Sequence, residues 1–326
     1  MLSKLDEINL INASNVSDYF LNENFVRSEL EFENFDINSC GLPLLVAADP
    51  KVFTFGSRDT FRISKERILK KIYQLQNPEY SGFKHAFHNN ELFLSNFEVR
   101  EEYKKFAEII TIKNTLSKQN IQHLLSRHSR VGAFQTRNIP HAGHEKIIER
   151  MLENCNHLVI NPVVGPKKTG DVTLNALRLS YSYLGKHKYN SRISFIPIIA
   201  NMYYAGPNEA IHHTILRERL GFSLFSVGRD HAGADGAYGS HEASDSVKRN
   251  QQKFNIQILT HGGAVYCQNC RNVLLVNECN CPSGDMIDIS GTKFRSSLKS
   301  GEHYEFADSD LQTYLTMQSE VIFQND

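Results

Sequence analysis

Apolar positions along the chain follow two different rhythms. Ile68, Leu69, Ile72 and Leu75 recur at the three- and four-residue spacing of one helix face, so residues 64–76 are predicted to form an amphipathic helix with that stripe in the core. Asn77-Pro78 stops it, because the residue before a proline avoids the helical region. Short apolar runs at 44–47 and 92–97 predict strands, and residues 1–112 read as a small α+β domain. The pattern changes at Lys113. A polar helix near 117–130 leads into an apolar run at 131–134. Further runs at 157–163, 193–199, 222–227 and 255–260 then alternate with helical patterns starting at Pro140, Asp171 and Pro207. Such alternation predicts an α/β domain over 113–326, built on a doubly wound parallel sheet. Proline suits a first helical position because the N–H it lacks would be unpaired there anyway.

Composition removes several classes of function. Lys plus Arg and Asp plus Glu each total 36 in 326 residues, so no basic excess invites a nucleic-acid backbone. The longest uncharged apolar stretch, 193–208, contains Pro197, Asn201 and Pro207 and falls short of the roughly 20 apolar residues of a membrane helix. Asp6 and Glu7 interrupt what would have to be a signal peptide, so a cytoplasmic location is the default expectation. Of six cysteines, Cys267, Cys270, Cys279 and Cys281 crowd together at a spacing typical of a metal knuckle; Cys40 and Cys155 are expected as reduced, buried thiols. Phe53, Phe55 and the aromatics around them are read as core and not as a base-stacking platform.

The densest chemistry follows the run at 131–134. Gln135-Thr136-Arg137-Asn138-Ile139-Pro140-His141-Ala142-Gly143-His144 opens a helix that continues through Ile147, Ile148 and Met151. A strand-to-helix turn at the carboxyl edge of a parallel sheet is where ligands bind, and a helix N-terminus offers free N–H groups to a phosphate. His141 and His144, three apart, share one helical face, and Gly143 between them allows a close approach to the backbone.

His141-Ala142-Gly143-His144 is an HxGH block, and Ile289-Ser290-Gly291-Thr292-Lys293-Phe294-Arg295 is similar to the ISxTxxR element that accompanies it in nucleotidyltransferases. Between them stand Met202-Tyr203-Tyr204-Ala205-Gly206-Pro207-Asn208-Glu209-Ala210-Ile211-His212-His213 and Val227-Gly228-Arg229-Asp230-His231-Ala232-Gly233. With Gln135-Thr136-Arg137-Asn138 and the segment bearing Asn161, Pro162, Gly165, Lys168, Gly170 and Asp171, they run from Val131 to Arg295 in family order. On these motifs the chain resembles the ATP sulfurylases (sulfate adenylyltransferases).

The resemblance implies a nucleotidyltransferase fold with a shortened, PUA-like N-terminal domain. It implies attack of sulfate on the α-phosphate of Mg²⁺-bound ATP, giving adenosine 5′-phosphosulfate and pyrophosphate, in either direction. Sulfate is already an anion, so the task is to bring two polyanions together with Arg, His and amide donors. By resemblance, Gln135, Arg137 and the Ala232 N–H hold sulfate. His141 and His144 contact the phosphates, Asn138, Arg229 and Arg295 engage the nucleotide, and Asp230 and His231 fix the nucleotide loop. His212 and His213 are read as packing residues. The four cysteines are expected to hold a structural Zn²⁺, with Cys281 in place of the histidine of some relatives, where this chain has Ser283. A three-cysteine site and no metal at all stay open.

The chain departs from the family pattern in the order Ile139-Pro140, in Ala142-Gly143 between the histidines, and in its short N-terminal region. No G-x-x-x-x-G-K-[ST] loop occurs, so an enzyme that consumes the sulfated nucleotide is expected to be a separate protein. A helix at 309–320 is a candidate closing lobe or contact of a homo-oligomer. Two other readings stay open: an adenylyltransferase for a different oxyanion or small metabolite, and a catalytically idle nucleotide-binding homologue.

Overall fold

A computed structural model describes residues 28–40, 42, 46–47, 53–55, 61–86, 91–94, 97–165, 172–200, 202–317 and 322–323. Its centre is a five-stranded parallel sheet of β1 (Val131–Phe134), β2 (His157–Ile160), β3 (Ile193–Phe195), β4 (Leu224–Val227) and β5 (Gln257–Thr260), in the order β5-β4-β1-β2-β3. β1 pairs with β2 on one side, from Val131 opposite His157 to Phe134 opposite Ile160. On its other side Gly132 and Ala133 stand opposite Leu224 and Phe225 of β4. The chain therefore leaves the central strand in one direction for β2 and β3, then crosses back for β4 and β5. The doubly wound sheet expected from the alternation is present.

Both faces of the sheet are covered, which is why its strands read as continuous apolar runs. On one face Leu158, Ile160 and Leu224 pack with Ile147, Ile148 and Met151 of α1 (Ala142–Leu152) and with Leu177, Tyr181 and Leu184 of α2 (Leu174–His187). On the other, Val131, Ala133, Val159 and Phe225 pack with Ala210, Ile211 and Ile215 of α3 (Gly206–Arg219) and Val247 of α4 (Glu242–Arg249). Strand residues thus alternate between two cores, as a pleated strand requires.

Several boundaries differ from expectation. α1 begins one residue after the N-cap His141, so Pro140 sets the entry to the helix and is not its first residue. α2 begins after Thr173, whose hydroxyl accepts from the Ala176 N–H at 3.1 Å; Asp171 lies outside the described residues. The apolar runs at 157–163 and 193–199 each bend after the main-sheet strand and form a second ladder, Val163–Val164 beside Ile198–Ile199. The run at 92–97 splits into Glu91–Leu94 and Phe97–Val99, which pair with different partners. The helix expected at 117–130 spans Glu101–Arg127, so position 113 falls inside a helix. The helix expected at 64–76 occupies Lys65–Tyr73, a helical turn followed by a π turn, and ends where Gln74 turns left-handed at φ 55°, ahead of Asn77-Pro78. The C-terminal helix covers Ser309–Met317.

The N-terminal segments form a third core, where Ile68, Leu69, Ile72, Tyr73 and Phe83 enclose Tyr203, Tyr204 and Ala205. Tyr73 donates its hydroxyl to the Tyr203 carbonyl, and Tyr80 donates to that of Tyr204 at 2.7 Å. This region therefore grips the segment that leads into α3. Among the described residues no helix is long and apolar enough to cross a membrane.

Candidate active site

The strand order reverses beside β1, and the loops leaving β1 and β4 part there to open a cleft of about 200 Å³. Its walls are Gln135, Thr136, Arg137 and Asn138 after β1, and Gly228, Arg229, Asp230, His231 and Ala232 after β4; His144 of α1 and His261 after β5 complete it. The lining carries two arginines, Arg137 and Arg229, and one acidic residue, Asp230, a balance suited to an anionic ligand. Arg137 is exposed at the rim of this lining.

The first loop is held from inside. The Thr136 hydroxyl accepts from the Asn138 N–H at 3.2 Å, and the Asn138 carbonyl accepts from the Tyr181 hydroxyl of α2 at 3.2 Å. His141 then caps α1: its Nδ1 accepts the Gly143 N–H at 3.2 Å, which leaves Nε2 as the protonated nitrogen of the neutral ring. His141 and His144 lie with ring centroids 4.0 Å apart. Burial pushes the His141 pKa down to about 4. Burial, His141 and His261 hold His144 well below the ordinary range. Both rings are neutral at pH 7, so they act as hydrogen-bond partners and not as fixed charges.

The Ser290-Gly291-Thr292 element reaches the same loop from the far end of the domain. Ser290 caps the helix Gly291–Ser300 by accepting from the Lys293 N–H at 3.3 Å. Arg295, on the first turn and a half of that helix, donates to the Asn138 carboxamide and, at 3.2 Å, to the Thr292 hydroxyl. A Cβ at Gly291 would lie 3.5 Å from the Asn138 carboxamide carbon and 3.6 Å from His141 Nε2, ordinary contact distances, so the start of this helix borders both residues.

The β4 loop is unusual in its backbone. Asp230 and Ala232, neither of them glycine, stand at φ 54° and 57°. Such alternation leaves N–H groups pointing one way, a concavity that suits anions. Arg229 Nε lies 3.5 Å from its neighbour's carboxylate, Asp230 Oδ2. His231 is not simply a loop prop: its Nε2 lies 3.0 Å from Nδ1 of His213, on buried α3.

Of the sequence-derived site residues, Gln135, Arg137, Asn138, His144, Arg229, Asp230, His231 and Ala232 share this cleft. His141 and Arg295 stand just behind it, touching the cleft through His144 and Asn138. Lys168, Gly170 and Asp171 lie outside the described residues. Asn161 is structural: buried, it donates to the Ile196 carbonyl at 2.7 Å and receives Arg217 on its own carbonyl at 2.9 Å. His212 is also structural, accepting from the Leu42 N–H at 3.1 Å.

Sequence reasoning missed His261. This ring, held 3.1 Å from the Ser226 hydroxyl through Nε2, lines the cleft with its Nδ1 buried and unpartnered. The signal was present, since a histidine directly after the last strand of a parallel sheet stands at its carboxyl edge. Gln135 Oε1 and His144 Nδ1 are likewise buried without partners in the same cleft. Buried polar atoms of this kind are normally satisfied, so their convergence marks a place a ligand completes.

The four crowded cysteines do meet. Their sulfur atoms all lie within 4.8 Å of one another, with Cys270 Sγ 3.9 Å from Cys279 Sγ and 3.7 Å from Cys281 Sγ. Four thiolates at about 2.3 Å from a tetrahedral Zn²⁺ stand about 3.8 Å apart, so the donor set fits that ion. The Cys270 N–H, donated to Cys267 Sγ at 3.4 Å, helps bring the Cys267 thiol down to about 7. The antiparallel ladder of Ala264–Cys267 with Asn272–Leu275 carries the first pair. Cys155 is buried and free, and the Cys40 side chain lies outside the described residues.

A family model described as ATP-sulfurylase matches residues 113–306, more than half the chain. The chain belongs to that family. A sulfate adenylyltransferase of Ignicoccus hospitalis is 32% identical over 290 residues, covering 86% of this chain and 72% of that protein. One of Persephonella marina is 31% identical over 247 residues, covering 75% of this chain and 64% of its own length, under two thirds. One of Aeropyrum pernix is 41% identical over 175 residues, 53% of this chain and 45% of that protein. In fold, a hexameric APS kinase from Thiobacillus denitrificans superposes with a TM-score of 0.57 at 14% identity, over 97% of this chain and 62% of its own. The ATP-sulfurylase match takes in the whole parallel sheet, the cysteine cluster and the Arg295 helix. It ends at Phe306, whose carbonyl accepts the Ala142 N–H at 2.7 Å.

Proposed function

We propose that this chain is a sulfate adenylyltransferase, in which sulfate attacks the α-phosphorus of ATP in line and expels pyrophosphate, reversibly. The observation that carries the reading is the convergence of Gln135, Arg137, His144, Arg229 and Ala232 in one cleft at the sheet's switch point. A generic nucleotide site has no need of this set together.

In this reading Gln135, Arg137 and the Ala232 N–H hold sulfate, Arg137 offering the fork geometry that matches two oxygens of a tetrahedral anion. The neutral rings of His141 and His144, with the N-terminus of α1 and the Arg229 guanidinium, draw off charge as it develops on the phosphates. Asn138 and Arg295 set the nucleotide's position, and Asp230 and His231 shape the loop that carries Ala232. No general base is required, because sulfate attacks as an anion. ATP enters as its Mg²⁺ complex, so that ion is part of the substrate. Cys267, Cys270, Cys279 and Cys281 would hold a structural Zn²⁺, which when bound ties the β-ladder to the loop at Cys279. The N-terminal segments serve as a PUA-like scaffold that braces the approach to α3.

The test is ATP-dependent pyrophosphate release with pyrophosphatase present, with sulfate and with molybdate, whose adenylyl product hydrolyses spontaneously. Release that requires either anion is the expected result; release with neither, from protein that binds ATP, overturns the reading.

A further inference from the structure

Glu209 is wholly buried on the first turn of α3, a place where a carboxylate needs a reason. Its Oε1 accepts the Tyr203 N–H and its Oε2 the Ala205 N–H, both at 2.9 Å. Oε1 also lies 3.4 Å from Nε2 of His213, one helical turn on. His213 Nδ1 in turn lies 3.0 Å from His231 Nε2, and His231 lines the cleft with its Nδ1 engaged by no group among the described residues. Three side chains therefore form one line from a buried carboxyl to the cleft. By sequence His213 reads as a packing residue, and nothing in the motif at 202–213 gives Glu209 a role.

We propose that Glu209 and His213 are positioning residues that set, through His231, whether the cleft offers an acceptor or a donor to its anion. The proposal rests on the functional reading above. With Glu209 ionised, His213 donates Nε2–H to the carboxylate, its bare Nδ1 accepts Nε2–H from His231, and His231 presents a bare Nδ1 lone pair to the cleft. With Glu209 neutral, its O–H donates to His213 Nε2, His213 donates Nδ1–H to His231 Nε2, and His231 presents Nδ1–H. The change takes up one proton and needs no ring flip. The proton binds His231 Nδ1 while the Nε2 proton of His231 passes to His213 Nδ1. The Nε2 proton of His213 passes in turn to Glu209, whose charge falls from −1 to zero. Only the second state can donate to an anion, so anion binding and proton uptake favour each other.

The surroundings poise this carboxyl. Burial raises its pKa to about 7 against the opposing backbone N–H donors and Arg137. Tyr73, Tyr80, Tyr203 and Tyr238 are the other titratable groups around it, all raised by burial and uncharged at neutral pH. His213 faces Arg217, His212 and His231, and His231 faces Arg217, His261 and Arg137; burial first, then the Arg217 cation and, for His231, Arg137, keep both rings neutral.

The experiment reads tautomers directly. In wild-type protein carrying ¹⁵N-labelled histidine, the ring nitrogens of His213 and His231 are expected to switch together, from Nδ1–H at pH 6 to Nε2–H at pH 9. The shared midpoint should rise when sulfate and α,β-methylene ATP, or molybdate, are added. In turnover, KM for sulfate is expected to rise about tenfold per pH unit above that midpoint. In His213→Phe it is expected to lose this dependence. Glu209→Gln is a poorer probe, since an amide would place N–H against a backbone donor. Tautomers fixed across the range, separate midpoints, or a midpoint unmoved by either anion in protein that turns over sulfate overturn the proposal. Absent sulfate-dependent release, with the shared midpoint present and moved by molybdate, supports the wire and overturns only the functional reading.

Discussion

The Arg295 guanidinium donates to the Asn138 carboxamide, joining residues 157 positions apart in the chain. This bond ties the helix that follows the cysteine cluster to the first loop of the parallel sheet, so segments from the two ends of the region matched to the family close on one cleft wall. Arg295→Ala is expected to lower kcat/KM for ATP by about 10²-fold with little change in Tm, because the residue is only half-buried. Arg295→Lys should recover little, since Arg295 reaches Asn138 and Thr292 through two different guanidinium nitrogens and lysine offers only one. Steady-state pyrophosphate release checks both.

Arg137 is exposed at the mouth of the cleft, so its side chain contributes little to the fold. Arg137→Ala is expected to reduce turnover by at least about 10³-fold while the thermal melt stays within about 2 °C of wild type. A near-normal rate overturns its role with sulfate.

At Gly228 an added Cβ would lie 2.6 Å from Cε1 of His261. Gly228→Ala should therefore displace that ring, break its bond to Ser226 and narrow the cleft. The expected result is a rise in KM for ATP of about tenfold or more, seen in initial-rate kinetics, with kcat less affected.

Metal analysis of the purified chain is expected to find about one zinc, held by the four converging sulfurs. Cys270→Ser or a strong chelator should remove it and lower Tm, since Leu275 of the same ladder lies in the core shared with α1. Zinc-free protein with an unchanged melt refutes the site.

Stability should depend on pH with a definite sign. His141, His212 and His261 are held at about 4, 3 and 4, and His213 well below its ordinary range, all chiefly by burial. Below about pH 6.5 the unfolded chain protonates these histidines while the folded chain does not, so Tm is expected to fall from pH 6.5 toward 4. Glu209 works oppositely: its raised pKa stabilises the fold fully below about pH 4.5, and this contribution is lost as pH rises toward 7. His144, His157 and His231 are lowered as well and Glu145 is raised like Glu209, so seven histidines outweigh two carboxyls and the net slope is positive, measurable by calorimetry across that range.

Much of the parallel-sheet domain was legible because its signals are local. A strand buried on both faces must be apolar throughout, so Val131–Phe134 and Leu224–Val227 announce themselves, and glycines, histidines and arginines just after such strands mark the ligand edge. Element boundaries were less legible. Whether the run at 157–163 stays straight or bends into a second ladder depends on Asn161, whose bonds reach to residues 134, 196 and 217. The first half of the long helix Glu101–Arg127 carries Phe106, Ile109, Ile110 and Ile112, but only Ile110 of the three isoleucines is buried while Ile109 and Ile112 face solvent, so its apolar positions do not trace one core stripe.

By itself the sequence determined the alternating architecture, the family motifs and the residue types available to a polyanion, because periodicity and short-range spacing carry those. Only the tertiary structure decided that His261 joins the cleft, that Cys281 falls within reach of Cys270, and that Glu209, His213 and His231 form one line. Each of these depends on distances between segments that the chain order leaves free, and those distances are set by how two cores pack against one sheet.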